Sequence, residues 1–311
     1  MAAFYYGGQA VIEGVMMRGQ HQATVAVRKV DGDLLFRTES LPDALYRHRI
    51  ARLPFVRGLV MLWEMMILGT RLMIFSANVQ AKGQMDREIP KRLMASMMAV
   101  SLTFAVGLFF VLPLLLTRAG QHALPNSLAA NAAEGVVRLG LFVGYLTLMG
   151  RVDQMRRVFQ YHGAEHKTIN AFEHRAPLVP SEVQRFSLTH TRCGTAFLLW
   201  VVVVSIFVFG LMGHPPILLA IVSRIVLVPV IAAMSYEILR LGARYYHVAA
   251  VRLVLQPGLW LQHLTTREPS DEQVEVAIAA LLPVLNADGV AYLRAPQSAP
   301  SILVQTHGVA G

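Results

Sequence analysis

Two histidines four residues apart, with a glutamate between them, stand near the middle of the chain as His162-Gly-Ala-Glu165-His166. On an α-helix residues i and i+4 share a face, so two imidazoles at this spacing can bind one metal ion. The order H-x-x-E-H is that of the inverted zincins, in which the glutamate serves as general base beside the metal. The pattern predicts a divalent metal, zinc, on His162 and His166, with Glu165 as the catalytic residue. The alternative is that these groups cap helices or pair with three arginines, Arg156, Arg157 and Arg192.

Four further side chains are candidates for completing this site, and the spacing alone does not choose among them. Glu237 ranks first as third ligand, because it follows an apolar block that returns to the same predicted membrane face. His190 and then Cys193 come next, as His-x-x-Cys just before another apolar block, and zinc accepts both nitrogen and sulfur ligands. A lone cysteine is more often an inert small apolar residue. Glu13, among glycines, is either a further ligand or base, or a turn carboxylate.

The composition indicates that a membrane carries these residues. The chain has 311 residues, of which 55% are hydrophobic and only 15% charged, whereas soluble domains average about 25% charged residues. One cysteine excludes an intrachain disulfide framework. Residues 1–19 lack the basic start of a cleavable signal peptide. These features predict an α-helical integral membrane protein whose N-terminus is retained.

Four apolar blocks are predicted to span the bilayer, at residues 94–117, 136–149, 196–213 and 216–235. The first has 24 residues without an ionisable side chain, against about 20 needed to cross the hydrocarbon core. Arg224 in the last block must either face the bundle interior with a partner or extend towards the outer surface. Residues 55–77 carry three charges seven apart, and a central charge costs about 2.5–3.5 kcal/mol on insertion. We therefore predict an interfacial or bundle-packed helix there, not a fifth span.

The distribution of basic residues predicts the orientation. Lys and Arg number thirteen in residues 1–93, one in 118–135, seven in 151–195, none in 214–215 and five in 236–311. The positive-inside rule then places the N-terminus, the central loop and the C-terminal region in the cytoplasm. Basic residues flank the apolar blocks and form no groove-binding patch, so we expect a lipid bilayer as partner and no nucleic acid.

The remaining segments divide the chain further. Residues 1–53 are predicted to be a small β-rich cytoplasmic element, since β-branched runs flank Asp31-Gly32. Residues 54–93 form the interfacial or bundle-packed helix and a basic linker, 94–150 and 196–235 two transmembrane hairpins, and 151–195 the loop with the site. Residues 236–285 form a cytoplasmic region, in which Ser270 to Gln273 is a capping box. Residues 286–311 are expected to be a disordered tail.

Several motifs carry a resemblance to a known family. They are GGQAVIEGVMMR at residues 7–18, YHGAEHK at 161–167, HTRCG at 190–194, SYE at 235–237 and PGLWLQ at 257–262. Together they are similar to the YqhQ-like family of bacterial membrane proteins, a domain of unknown function labelled a predicted metal-dependent enzyme. The resemblance extends over nearly the whole chain to about Leu285, and it implies membrane location together with metal chemistry.

These observations favour a membrane-bound, zinc-dependent hydrolase whose site faces the cytoplasm and in which Glu165 polarises a metal-bound water. Three protein ligands would leave the open position that hydrolysis requires. The substrate is not identified by the sequence. The rival is a non-enzymatic membrane scaffold or assembly factor with a membrane protein partner, held by a closed metal site or by none. A transporter fits less well, because the apolar blocks show no repeat symmetry.

Overall fold

The protein is represented by a computed structural model that describes residues 6–41, 51, 53–120, 127–212 and 215–293, with the side chains of 127 and 128 excepted. Four strands form an antiparallel sheet in the order β1-β2-β3-β4. Their bounds are β1 Gly7–Val11, β2 Gly14–Arg18, β3 Gln22–Arg28 and β4 Leu34–Ser40.

Helices make up most of the rest of the described chain. They are α1 Val56–Met85, α2 Lys91–Val106, α3 Leu112–Ala119, α4 Ser127–Met149, α5 Asp153–Glu173, α6 Pro180–Val183, α7 Gly194–Gly210, α8 Ile217–Val226, α9 Val228–Arg244, α10 Ala249–Thr265 and α11 Asp271–Ala287. A π-helical turn, Gly107–Val111, joins α2 to α3. The expected tail begins within α11, and its residues 294–311 lie outside the described part of the chain.

The predicted hairpin and helix cap are confirmed. Arg28 of β3 pairs with Leu34 of β4, and Gly32 in the turn between them has φ +93°, a conformation that glycine adopts without steric cost. Ser270 and Gln273 form a complete capping box at the start of α11. These local signals were sufficient because turns and caps depend on a few adjacent residues.

The sheet is the middle layer of three, not a separate element. One face of it packs on α5 and α11, where Val15 and Met17 of β2 contact apolar residues of both helices. Its other face packs on α1, where Met16 and Val25 meet Leu68 and related side chains. Successive residues of β2 thus alternate between two cores, as the pleat of a strand dictates.

Helix α1 is longer than predicted and packs against the sheet. Among the described residues it is one of three helices that are long and apolar enough to cross a membrane, and the others are Lys91–Ala119 and Ala129–Met149. However, Glu64 binds Arg18 of β2 with an N–O distance of 2.8 Å, and Gly83 lies against Val30 after β3. One face of α1 therefore packs on the sheet, while Trp63 and Met66 on another face are each 65% exposed. The choice between a packed or interfacial helix and a further span stays a prediction.

The last two predicted spans differ in detail. Helices α8 and α9 form a pair bent by 45°, which would make a fourth span if it crosses as one unit. Helix α9 continues nine residues beyond the predicted end at Ser235, to Arg244. Helix α7 is apolar but shorter, at 17 residues. All four predicted apolar blocks are helical over most of their described residues.

A buried charge network joins three of the apolar helices. Glu134 of α4 binds Arg138 of the same helix at 2.6 Å and Arg224 of α8 at 2.5 Å. Arg138 also donates to the Ser205 hydroxyl of α7 at 2.6 Å, and the Arg224 guanidinium lies 4.6 Å from the centre of the Phe209 ring. Arg224 therefore faces the interior of the helix bundle, where Glu134 is its partner. It does not extend towards the outer surface, which was the other alternative.

Replacing Glu134 should destabilise the helix bundle strongly. Glu134→Gln keeps the size of the side chain but leaves two buried guanidinium groups without their anion, a loss of about 3–5 kcal/mol in the free energy of unfolding. Ser205→Ala, which removes one hydrogen bond to Arg138, should cost only about 1 kcal/mol. Thermal unfolding in detergent checks both variants, and equal effects would contradict a network centred on the carboxylate.

Candidate metal centre

Helix α5 presents the histidine motif to the interior of the protein. Its middle turns are buried: Glu165 is 4% exposed and His166 is 1% exposed, while His162 is only partly covered. Both sides of the helix are covered, since β1 lies along one and the segment after α10 along the other. Gly8 of β1 is required here, because a Cβ at that position would lie 2.8 Å from the Glu165 Cγ.

Three side chains converge to form the candidate metal centre, namely His162, His166 and Cys193. Their ligand atoms all lie within 4.8 Å of one another, and they are the group in the described residues that could hold a metal ion. The Cys193 Sγ is 3.4 Å from the His162 Nε2. Zinc bonds of about 2.0–2.1 Å to nitrogen and 2.3 Å to sulfur in a tetrahedron require ligand separations of about 3.3–3.6 Å. The set therefore fits zinc in chemistry, and it fits in size after a small closure.

Each histidine ring forms a hydrogen bond to a backbone carbonyl through its Nδ1, the nitrogen that faces away from the cluster. The His162 Nδ1 donates to the Thr265 carbonyl at the end of α10, at 2.9 Å, and the His166 Nδ1 donates to the Leu188 carbonyl at 2.5 Å. Such bonds fix the tautomer and the orientation of a metal-ligating imidazole. Both Nε2 atoms are thereby directed to the cluster.

Two residues hold the segments that supply these carbonyls. Gly163 lets both segments approach α5 closely, because a Cβ there would lie 2.2 Å from the Arg267 carbonyl oxygen and 2.9 Å from a Leu188 methyl carbon. Gln262 of α10 is fully buried, and its amide accepts from the His190 N–H at 2.8 Å and donates to the His190 carbonyl at 2.9 Å. The loop that leads to Cys193 is thus clamped onto α10.

The cluster is strongly coupled electrostatically. Burial raises the pKa of the Cys193 thiol, but the adjacent His162 and His166 outweigh burial and hold that pKa well below its usual range. Burial lowers the pKa of His166, whereas the Cys193 thiolate and Glu165 raise it to about 9. Cys193 also caps α7, where its sulfur accepts from the Thr195 N–H at 3.4 Å, a position that favours a thiolate. Cys193 and His166 thus stabilise each other's charged forms.

Glu165 lies beside the cluster without being part of it. Its Oε2 is 3.5 Å from the His166 Nε2, and the group of mutually close ligand atoms does not include it. A buried carboxylate adjacent to a ligand atom is positioned as a base for a group bound at that point. The role of Glu165 as catalytic residue stays a prediction.

Glu237 and His190, the two preferred third ligands, have other partners. The Glu237 carboxylate binds Arg57 of α1, with its Oε1 2.8 Å from the Arg57 Nε. The His190 ring lies 5.8 Å from that of His166, but its Nε2 is 3.6 Å from a Glu173 oxygen. Burial raises the pKa of Glu173, and its contacts with His190 and Arg192 outweigh this and lower it. The third position of the cluster belongs to Cys193, which ranked last.

Glu13 reaches α5 on a different side. It occupies the turn between β1 and β2 with φ +52°, and both its oxygens bind Arg157 at 2.6 and 2.5 Å. The Tyr161 hydroxyl donates to the same carboxylate at 3.3 Å. Glu13 is therefore a turn carboxylate that joins the sheet to α5, as the second of the two interpretations of this residue predicted.

The supporting residues Thr265, Leu188 and Gln262 were not identified from the sequence. Thr265 and Leu188 contribute backbone carbonyls, which leave no signal in residue type. Gln262 does leave a signal in the sequence, since it is a polar residue at the end of the largely apolar PGLWLQ motif. The structure shows that its amide is fully buried.

Comparisons with known proteins cover both the cluster and the helices. A family model described as "Protein of unknown function (DUF1385)" matches residues 53–287, which include the three cluster residues. "Uncharacterized protein YqhQ" of Bacillus subtilis (strain 168) is 34% identical over 297 residues, which cover 92% of this chain and 93% of that protein. No solved structure matches the chain.

Two glycines near the cluster provide a matched test of the close approach at α5. Gly163→Ala should destabilise the protein by about 1–3 kcal/mol, because the new methyl group pushes the Leu188 and Arg267 segments away from the helix. Gly194→Ala, at the start of α7, meets no atom within 4 Å and should be neutral. Melting temperatures in detergent measure the difference, and equal melting temperatures would show that the segments are not held against Gly163.

Proposed function

The chain belongs to the family of proteins of unknown function DUF1385. From the geometry of the cluster we propose that it is a membrane-bound, metal-dependent hydrolase. The metal we propose is zinc, held by His162, His166 and Cys193, and the catalytic base is Glu165. The substrate class is left open. The apolar helices and the alternation of basic residues support a site that faces the cytoplasm in the inner membrane.

One observation carries the proposal: two imidazole nitrogens and a thiolate converge with a buried carboxylate at their edge. Nitrogen and sulfur donors are the set that zinc prefers, and three protein ligands are typical of catalytic sites, whereas structural sites have four. The carbonyls of Thr265 and Leu188 supply the outer hydrogen bonds that metal-ligating histidines need.

In the proposed hydrolysis the metal site and Glu165 would have separate roles. A zinc ion at the cluster supplies a Lewis acid that polarises a substrate carbonyl or phosphoryl group. Glu165 accepts a proton from the attacking water and returns it to the leaving group, as a general base and then a general acid. Cys193 and His166 stay buried, so the reacting groups approach from the side of the partly exposed His162.

A structural metal site is the second candidate, and the burial of the cluster favours it. Cys193 is 6% exposed and His166 is 1% exposed. A metal there would join α5, the loop before α7 and, through Thr265, the end of α10. The protein would then be a scaffold or assembly factor, and Glu165 would have no chemical role.

Removing the histidines should remove the metal. The variant His162→Ala with His166→Ala should lose near-stoichiometric zinc, because only one ligand of the three remains. His174→Ala is the control, since this exposed histidine at the end of α5 bonds only the Asn170 carbonyl. Elemental mass spectrometry of detergent-purified protein measures both. Equal metal content in the double variant and the wild type would refute the site.

Glu165→Gln separates the hydrolase from the scaffold. The change keeps the shape of the side chain and removes the base, so a hydrolase should retain zinc and expression while activity falls by about 10²- to 10⁴-fold. Glu182→Gln is the control, because Glu182 pairs only with Arg185 near the surface. Complementation of the deletion phenotype is the readout, alongside metal content. Full complementation by zinc-loaded Glu165→Gln would favour the scaffold.

A further inference from the structure

Helix α10 has three distinct faces. Leu255, Gly258 and Gln262 are buried against the protein. A second stripe is apolar and open, with Leu253 75% exposed, Val254 59% and Trp260 62%. A third, polar stripe between them carries the exposed Arg252 and His263. A helix with an open apolar face beside a polar edge is typical of helices that lie in a membrane interface.

The buried face fixes α10 at the ends of two apolar helices. A Cβ on Gly258 would lie 3.1 Å from the Ala196 Cβ, in the first turn of α7. Leu255 lies against Gly242, in the last turn of α9, since a Cβ on Gly242 would lie 2.9 Å from both Leu255 methyl carbons. The start of α7 and the end of α9 belong to the same predicted membrane face. Helix α10 therefore lies where the apolar helices enter and leave.

We propose that α10 binds the surface of the lipid bilayer, with Leu253, Val254 and Trp260 inserted among the lipids to a depth of about 5–10 Å. Two exposed cations, Arg252 and Arg244 before the helix, suit anionic headgroups. Trp260 and the half-exposed Tyr245 are the amphipathic aromatics that concentrate at membrane interfaces. The occupant of this face is lipid, and the inference rests on the proposed membrane location.

This contact would set the depth of the candidate metal centre. The last turns of α10 supply the Thr265 carbonyl to His162 and the Gln262 amide to His190. Helix α10 therefore connects the bilayer surface rigidly to the cluster. The proposed contact would place His162, which is bonded to the last turn of α10, close to the lipid boundary.

Single-tryptophan variants test the inference, since the chain has three tryptophans. Trp63→Phe with Trp200→Phe leaves Trp260, and Trp63→Phe with Trp260→Phe leaves Trp200 in α7. Both are reconstituted into vesicles of phosphatidylcholine and phosphatidylglycerol brominated either near the headgroups or near the chain ends. We expect Trp260 to lose most of its fluorescence with bromine near the headgroups, and Trp200 to lose more with the deeper bromine.

The outcomes are distinguishable. Quenching of Trp200 without quenching of Trp260 would overturn the contact of α10 with lipid and leave the membrane location standing, whereas quenching of neither would overturn both. A phospholipid with a photoactivatable acyl chain repeats the test on the unmodified chain, and we expect label on the residues between Leu253 and Trp260. Label on the other apolar helices with none on that segment would also overturn the inference.

Discussion

The two hydrogen bonds behind the histidines are the constraint on which the rest of the structure around the cluster depends. Thr265 and Leu188 belong to segments 103 and 22 residues from the histidines that they hold. Their carbonyls can reach the rings only because Gly163 brings both segments against α5. The sheet completes the arrangement from the opposite side through Gly8. Helix α5, the Leu188 segment, the end of α10 and strand β1 are therefore all needed to orient the two histidine Nε2 atoms towards the cluster.

Two groups of buried charge in this protein differ in what they can do. In the Glu134 network each guanidinium donates to the carboxylate and also to a carbonyl, so its hydrogen-bonding capacity is used internally and the network acts as a cross-link. In the cluster, three electron-pair donors face one another. A proton or a bound cation among them stabilises such a group. The candidate functional site is therefore the cluster and not the network.

Local patterns predicted the elements, and long-range pairing decided the details. The spacing of His162 and His166, the Asp31-Gly32 turn and the capping box each depend on neighbouring residues, so they were legible in the sequence. The choice of third ligand was not. The predicted topology placed Glu237 on the same membrane face as the histidines, but its partner in the structure is Arg57, 180 residues away. Cys193 enters the cluster through a loop whose position is set by the side chain of Gln262.

The order of the layers has a consequence for synthesis of the protein. The sheet is made of the first described residues, yet one of its faces is covered by α5 and by α11, which ends at Ala287. During translation the apolar helices emerge between these two parts. The sheet must therefore wait, with apolar residues of one face uncovered, until nearly the whole chain has left the ribosome. Contacts between the sheet and the last described helix are far apart in sequence, a separation that lowers the rate of folding.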